Sequence, residues 1–162
     1  MKHFLISLLL CTFSCLTLQA IDIPKEHIFR FERSTNSNYV CYDINLQDGK
    51  LCQKEPLNGY WVLANETRLG EISFLERKIA FGIKVVSASE NEARVHMTAY
   101  KALVIRICKH KGKWVGIVKV NGHEMILKKM FAQMKPALRC EYVDIYGTDI
   151  NTGEACRERI TQ

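Results

Sequence analysis

The chain has 162 residues, 48% of them hydrophobic and 25% charged, with a formal net charge of +6. This balance excludes a disordered polymer, and the length excludes a large multidomain assembly. The modest basic excess favours anionic surfaces in general and selects no particular partner.

Residues 1–20 read as an address, outside the folded domain. Met1-Lys2-His3 is a short basic start, Phe4 to Leu18 is almost wholly apolar, and Leu18-Gln19-Ala20 ends on a small residue. That is the layout of a secretory signal peptide, and the apolar run is too short for a comfortable membrane span. Cleavage after Ala20 leaves residues 21–162 as one domain, periplasmic or secreted, with no membrane-spanning segment in the mature chain. The alternative is a cut before Cys15 and a lipid anchor there, but Phe13 fits poorly two residues upstream of the cysteine. Export argues against nucleic acid as a partner, and no nucleic-acid motif is present.

The rest of the chain predicts strands. Phe29 and Phe31 alternate with Arg30 and Glu32. Over Asn38 to Leu46, Val40, Tyr42, Ile44 and Leu46 share one face, and Cys41, Asp43 and Asn45 the other. Asp48-Gly49 is a tight-turn signal leading into Leu51 and Cys52. Tyr60 to Leu63 is rich in strand formers. Glu71 to Ala80 is the one helix candidate: Ile72, Leu75 and Ile79 fall at helical spacing, and Gly82 supplies a stop. Strands resume over Ile83–Ser87, Ala93–Tyr100, Ala102–Cys108 and Trp114–Val120, with a basic loop at Lys109–Lys113. Asn121-Gly122 is a strong hairpin signal. Met125 to Met130 reads equally as strand or short helix. Cys140–Tyr146 and a last segment ending near Ile160 complete the set. The expectation is a single mainly β domain, an antiparallel sandwich or barrel of eight or nine short strands with one short helix over 71–80.

Candidate chemistry is sparse. No His or Cys pair stands at metal-ligand spacing, no cofactor fingerprint occurs, and no nucleophile elbow or phosphate loop is present. Five cysteines follow residue 20: Cys41, Cys52, Cys108, Cys140 and Cys156. In an exported chain the first candidate disulfide is Cys140 with Cys156, across a turn-rich stretch, and the second is Cys41 with Cys52. Cys41 or Cys108 with His96 or His123 is the one conceivable nucleophile–base pair, without a local signature. Asn65-Glu66-Thr67 fits a glycosylation sequon.

Several strings taken together carry a resemblance: Phe29-Arg30-Phe31-Glu32-Arg33-Ser34, Asn36-Ser37-Asn38, Tyr42-Asp43, Pro56 with Tyr60-Trp61, Glu76 to Gly82, Val120-Asn121-Gly122, and Gly147 with Thr152-Gly153 and Glu158. Their order resembles the small exported bacterial proteins of the domain-of-unknown-function family numbered 4833. The resemblance implies export and one compact domain and transfers no activity or site. The same residues suggest a polar network fastening the helix to the sheet, or else a partner surface at Arg33, Asn36, Asn38, Tyr60, Trp61 and Arg77. The leading functional expectation is a non-enzymatic binding domain of the cell envelope, its partner an envelope protein or ligand. A β-barrel carrier of a small apolar ligand comes second and a cysteine-dependent enzyme third.

Overall fold

The computed structural model describes residues 27–63, 68–136 and 139–161. The signal segment 1–20, Cys15 and the Asn65-Glu66-Thr67 sequon lie outside the described residues. In chain order the elements are β1 (Phe29–Arg33), β2 (Asn36–Ile44), β3 (Leu46–Gln47), β4 (Lys50–Leu51), β5 (Leu57–Val62) and β6 (Arg68–Glu71). A short helix, α1 (Phe74–Glu76), widens into a π-helical turn over Arg77–Phe81. Then come β7 (Ile83–Ala88), β8 (Glu92–Met97), β9 (Tyr100–His110), β10 (Lys113–Val120), β11 (His123–Lys135), β12 (Arg139–Asp149) and β13 (Ala155–Thr161). The mainly β expectation holds, with more strands than the eight or nine foreseen; β9, β11 and β12 run longer than their sequence signals, and β3 and β4 are two-residue additions.

Eleven strands form one curled sheet shaped like a half-barrel, and β3 and β4 form a separate hairpin. The architecture turns on β11. One edge of β11 pairs with β12 along nearly its whole length. The other edge changes partner midway: Met125 and Ile126 face antiparallel β10, and Lys129 to Ala132 face parallel β1. The switch coincides with a bulge between Leu127 and Lys129, which leaves Lys128 unmatched against β12. A bulge bends its strand and sharpens the local twist, so two sets of strands can leave one edge in different directions. One wing is β1-β2-β5-β6 and the other is β10-β9-β8-β7.

Gly147 makes the bulge possible. It sits opposite Leu127, and a Cβ there would lie 2.4 Å from the Ile126 carbonyl oxygen. Only a residue without a side chain admits that approach.

The inner faces of both wings share one buried cluster. Phe29, Val40, Tyr42 and Leu57 come from the first wing, Val95, Met97, Ile105 and Ile107 from the second, and Met125, Leu127 and Ile145 from the β11–β12 spine. Phe29 and Tyr42 stack at 4.5 Å between ring centres. The alternation read in β2 is met: Val40 and Tyr42 enter the main core, and Cys41 joins Tyr60 and Val62 in a small cluster on the opposite face. On the outside of the spine, buried Asp144 accepts hydrogen bonds from Arg157 at 2.6 Å and Arg159 at 2.7 Å. Arg159 also covers the Tyr142 ring, so these pairs hold β13 to β12, and Lys129 covers Tyr146 across the β11–β12 seam.

Three hairpin turns, Asp48-Gly49, Lys111-Gly112 and Asn121-Gly122, have positive φ at both central residues, the type I′ geometry that matches strand twist. Two expectations need correction. The helix spans 74–81 rather than 71–80, because Glu71 ends β6. Its buried residue is Phe81, while Leu75 and Ile79 are each 62% exposed. The π-helical turn adds a residue per turn and rotates the inward face away from the 3.6-residue spacing.

Two outcomes test this account. Gly147→Ala should lower stability by about 2 kcal/mol or more, because backbone has to move to admit the methyl group. Lys111→Asn should raise it by roughly 0.5–1 kcal/mol by relieving the left-handed backbone at Lys111, where φ is 49°. Denaturant unfolding of both variants beside the parent measures the two shifts.

Candidate functional site

The sheet does not close. β13 ends the branch beyond β12, and the two wings end at β6 and β7, each paired on one side only; the helical segment 74–81 connects those two wing ends. Ser73 starts that segment with a capping box: its hydroxyl accepts from the Glu76 amide, and the Glu76 carboxylate accepts from the Ser73 amide at 2.9 Å. At the far end, the Gly82 amide donates to the Arg77 carbonyl at 3.1 Å and the Gly82 carbonyl accepts from the Thr98 amide at 2.7 Å. Tyr42, buried beneath, donates its hydroxyl to the Phe81 carbonyl at 2.8 Å. Thr98 adds a hydroxyl bond to the Arg77 carbonyl. The helix is therefore pinned at both ends while its outer side stays bare.

A surface cleft of about 560 Å³ opens beside it. Its floor is apolar, from Leu57, Ile72 and Phe81, and its far bank is Ile83 to Val85 on β7. Lys54, Arg77, Lys78 and Lys84 line it against a single acid, Glu55, which pairs with Arg77 at 3.1 Å. Phe74, 81% exposed, stands at its rim.

Three of the residues singled out from sequence meet around this helix. The Arg33 guanidinium lies 4.9 Å from the Phe81 ring centre and 5.5 Å from that of Trp61. Trp61 meets Phe81 edge-on and donates its indole N–H to Glu76 at 3.4 Å. Arg77 donates its Nε–H to the Ile72 carbonyl and lines the cleft. The Ser73 hydroxyl and amide, with smaller help from Trp61 and Arg33, hold the Glu76 carboxyl below its ordinary range. The other three lie apart. Asn36 and Asn38 shape the start of β2, where the Asn36 side chain accepts from the Asn38 amide. Tyr60 faces the opposite side of β5 and donates to Asp43 at 3.0 Å, beside His27.

Residues 29–159 match the family model described as Domain of unknown function (DUF4833). The chain belongs to that family. No curated protein and no solved structure matches it.

The remaining chemistry of this DUF4833 chain is bonded inward. All five cysteines among the described residues are free thiols. The expected Cys140–Cys156 bridge is not formed, and the register explains why. Cys156 sits opposite Gly147 on β12, seven residues along that strand from Cys140. At about 3.3 Å per residue the two lie roughly 20 Å apart, against a Cα separation under about 7 Å for any disulfide. The Cys41–Cys52 pair is likewise unbonded. Burial pushes the Cys41 thiol up to about 12, and burial also raises Cys108, Cys140 and Cys156. A thiol held protonated is a poor nucleophile.

Among the described residues, no group of three or more His, Cys, Asp or Glu side chains is arranged to hold a metal ion. In the His123 cluster the side chains bond to one another instead. The imidazole meets Asp149 at 2.5 Å through Nε2 and Glu158 at 3.2 Å through Nδ1, and Asn121 donates to Glu158 at 2.8 Å. With both nitrogens engaged, His123 clips the β10–β11 turn to the β12–β13 turn and offers no free base. His96 bonds the Met97 carbonyl.

Sequence reasoning passed over Phe74, Lys54 and Lys84. The Ser73-x-x-Glu76 capping box was a usable signal for the helix start, and would have moved it from 71 to 74. Nothing local marks the lysines, which converge only through folding.

The His123 clip has a definite pH signature. Bonds to Asp149 and then Glu158 raise the His123 pKa, so its contribution is complete below the ordinary histidine value of about 6.5 and is lost as pH rises through the raised one. Asp149 is held down to about 2, chiefly by the Thr152 amide and His123, so its contribution is complete above the ordinary aspartate value and is lost as pH falls toward 2. The stability difference between the parent and His123→Gln should therefore be largest between about pH 4 and 6.5, and should shrink on either side. Urea unfolding across pH measures it.

Proposed function

We propose that this DUF4833 protein is exported through its 1–20 segment and serves as a non-enzymatic binding domain of the cell envelope, gripping a partner at the cleft beside α1 and β7. One observation carries the reading. Of the seven large apolar side chains exposed among the described residues, five lie on the helix and its neighbouring edge strand: Phe74, Leu75, Ile79, Val85 and Val86. Scattered apolar exposure is ordinary, whereas a cluster rimmed by charge is the mark of an interaction site. Arg77 and the exposed Phe74 are residue types suited to anchor a partner, and Arg33 with Trp61 braces the helix from behind. Asn36, Asn38 and Tyr60 belong to the supporting structure in this reading.

The space between the wings is occupied by side chains of the buried cluster, which favours a surface site over an interior carrier. The raised thiol pKa values weigh against a cysteine-dependent enzyme.

Export and binding are tested separately. Sequencing the N-terminus of the protein recovered from the envelope should find Ile21; an intact Met1 on cytoplasmic protein would refute export. For binding, a photo-crosslinking residue placed at position 74 in the native cell should yield a discrete adduct. The same residue at Asn151, in the β12–β13 turn, should not. Equal labelling from both positions sinks the binding reading. Phe74→Asp should abolish partner capture while changing stability by less than about 0.5 kcal/mol, because that ring is already in solvent.

A further inference from the structure

The backbone of β7 adds something the side chains do not. β7 pairs only with β8, and its next neighbour position is open. The Gly82 carbonyl points to β8, where it accepts from Thr98. Because backbone polar groups alternate along a strand, Lys84 also points to β8, opposite His96, and Ile83 and Val85 turn their N–H and C=O groups to the open edge. Those groups face the cleft, and residues 84–87 are all exposed. Across the cleft, β5 pairs β2 on one edge and has no strand on the other over Leu57 to Gly59, since β6 begins pairing only at Tyr60. The cleft thus lies between two strand edges of one sheet, where a further strand would complete the curl.

An exposed edge of this kind accepts an extended chain by main-chain pairing. The lining selects which chain. Lys54, Lys78 and Lys84 have no carboxylate partner among the described residues, and the one acid, Glu55, is taken by Arg77. A second copy of this chain would bring lysines against lysines, so self-pairing is disfavoured, whereas an acidic strand would neutralise them. The apolar floor and the bare Val85 call for apolar residues at alternate positions, which a strand presents on one face.

We propose that β7 receives an extended acidic peptide as an added strand, its main chain paired with Ile83 and Val85, its carboxylates among Lys54, Lys78 and Lys84, and its apolar side chains on the Leu57–Ile72–Phe81 floor. The proposal rests on the binding reading above and names the partner's chemistry.

The test titrates the purified protein with a synthetic peptide of about six residues alternating valine and glutamate. Controls are the valine–lysine counterpart, the acidic peptide N-methylated at alternate positions, and vesicles of anionic phospholipid. The acidic peptide should bind at least roughly tenfold more tightly than the basic one, and should lose about tenfold on N-methylation, which removes main-chain bonds and keeps the charge. The Val85 amide should gain hydrogen-exchange protection in the complex. Reversing Lys54, Lys78 and Lys84 together to glutamate should abolish binding; all three are exposed, so the fold is not at stake. Equal affinity for the methylated peptide overturns strand addition. Binding of the vesicles without the peptide overturns it in favour of a membrane surface, and concentration-dependent dimers that protect Val85 overturn it in favour of self-pairing. If position 74 still crosslinks a discrete partner while no acidic peptide binds, the strand proposal falls and the binding reading stands.

Discussion

The close contact between Gly147 and the Ile126 carbonyl is the point from which the rest of the molecule is hung. It allows β11 to bulge at Lys128, and the bulge lets one strand edge serve two partners of opposite direction. Without it, β1 and β10 would compete for the same edge, and the sheet could not fork. With it, each half of the chain builds its own wing and both wings fold their apolar faces onto a common spine. The core is a consequence of that fork. Phe29 and Tyr42 share one buried cluster with the second wing's isoleucines because β11 aims the two wings at each other.

The two wings of the forked sheet must end somewhere, and here their outer strands are joined by one short segment at one seam. The connecting helix spans the seam and leaves it unfilled. Tyr42, Thr98 and Gly82 fasten the helix by its carbonyl end, where the π-helical turn would otherwise leave carbonyls unpaired. The Ser73–Glu76 box fastens the other end. What remains is a strap fastened at both ends whose outer apolar residues, Phe74, Leu75 and Ile79, are exposed among the described residues. Charge is distributed around the strap asymmetrically, with lysines left over after Arg77 has taken Glu55. An apolar floor and uncompensated charge meet at one place, and they arise from how the sheet fails to close.

Much of this is legible in the chain where local rules act alone. The alternation of Val40 and Tyr42 with Cys41 and Asp43 survives folding intact, as do the Asp48-Gly49 and Asn121-Gly122 turns. Legibility is lost wherever a backbone irregularity shifts the phase. Met125 to Met130 looks ambiguous because the bulge at Lys128 moves the inward positions from Met125 and Leu127 to Met130 and Ala132. The helix face is misread because the π-helical turn sends Phe81 inward and leaves Ile79 outside. The Cys140–Cys156 pairing fails for a different reason: nearness in sequence across a turn says nothing about register, and the register separates them by seven residues. Of the candidate surface, Arg33, Trp61 and Arg77 could be found as a motif. Lys54 and Lys84 could not, since only the topology of the sheet brings them to one cleft.

The parallel pairing of β1 with β11 also sets a timetable. Residues 29–33 are among the first of the domain to leave the ribosome, yet their partner strand lies about a hundred positions downstream; the bond from the Met134 amide to the Ser34 hydroxyl spans a separation of 100 residues. Long-range pairings of this kind close slowly, because the intervening chain must be ordered before they are rewarded. The second wing, built from successive hairpins, can assemble while synthesis is still under way. The first wing can pair its own strands, but the outer edge of β1 has to wait until β11 is complete. That interval is when the chain is most open to misassembly, and when an escort that covers its leading segment has most to protect.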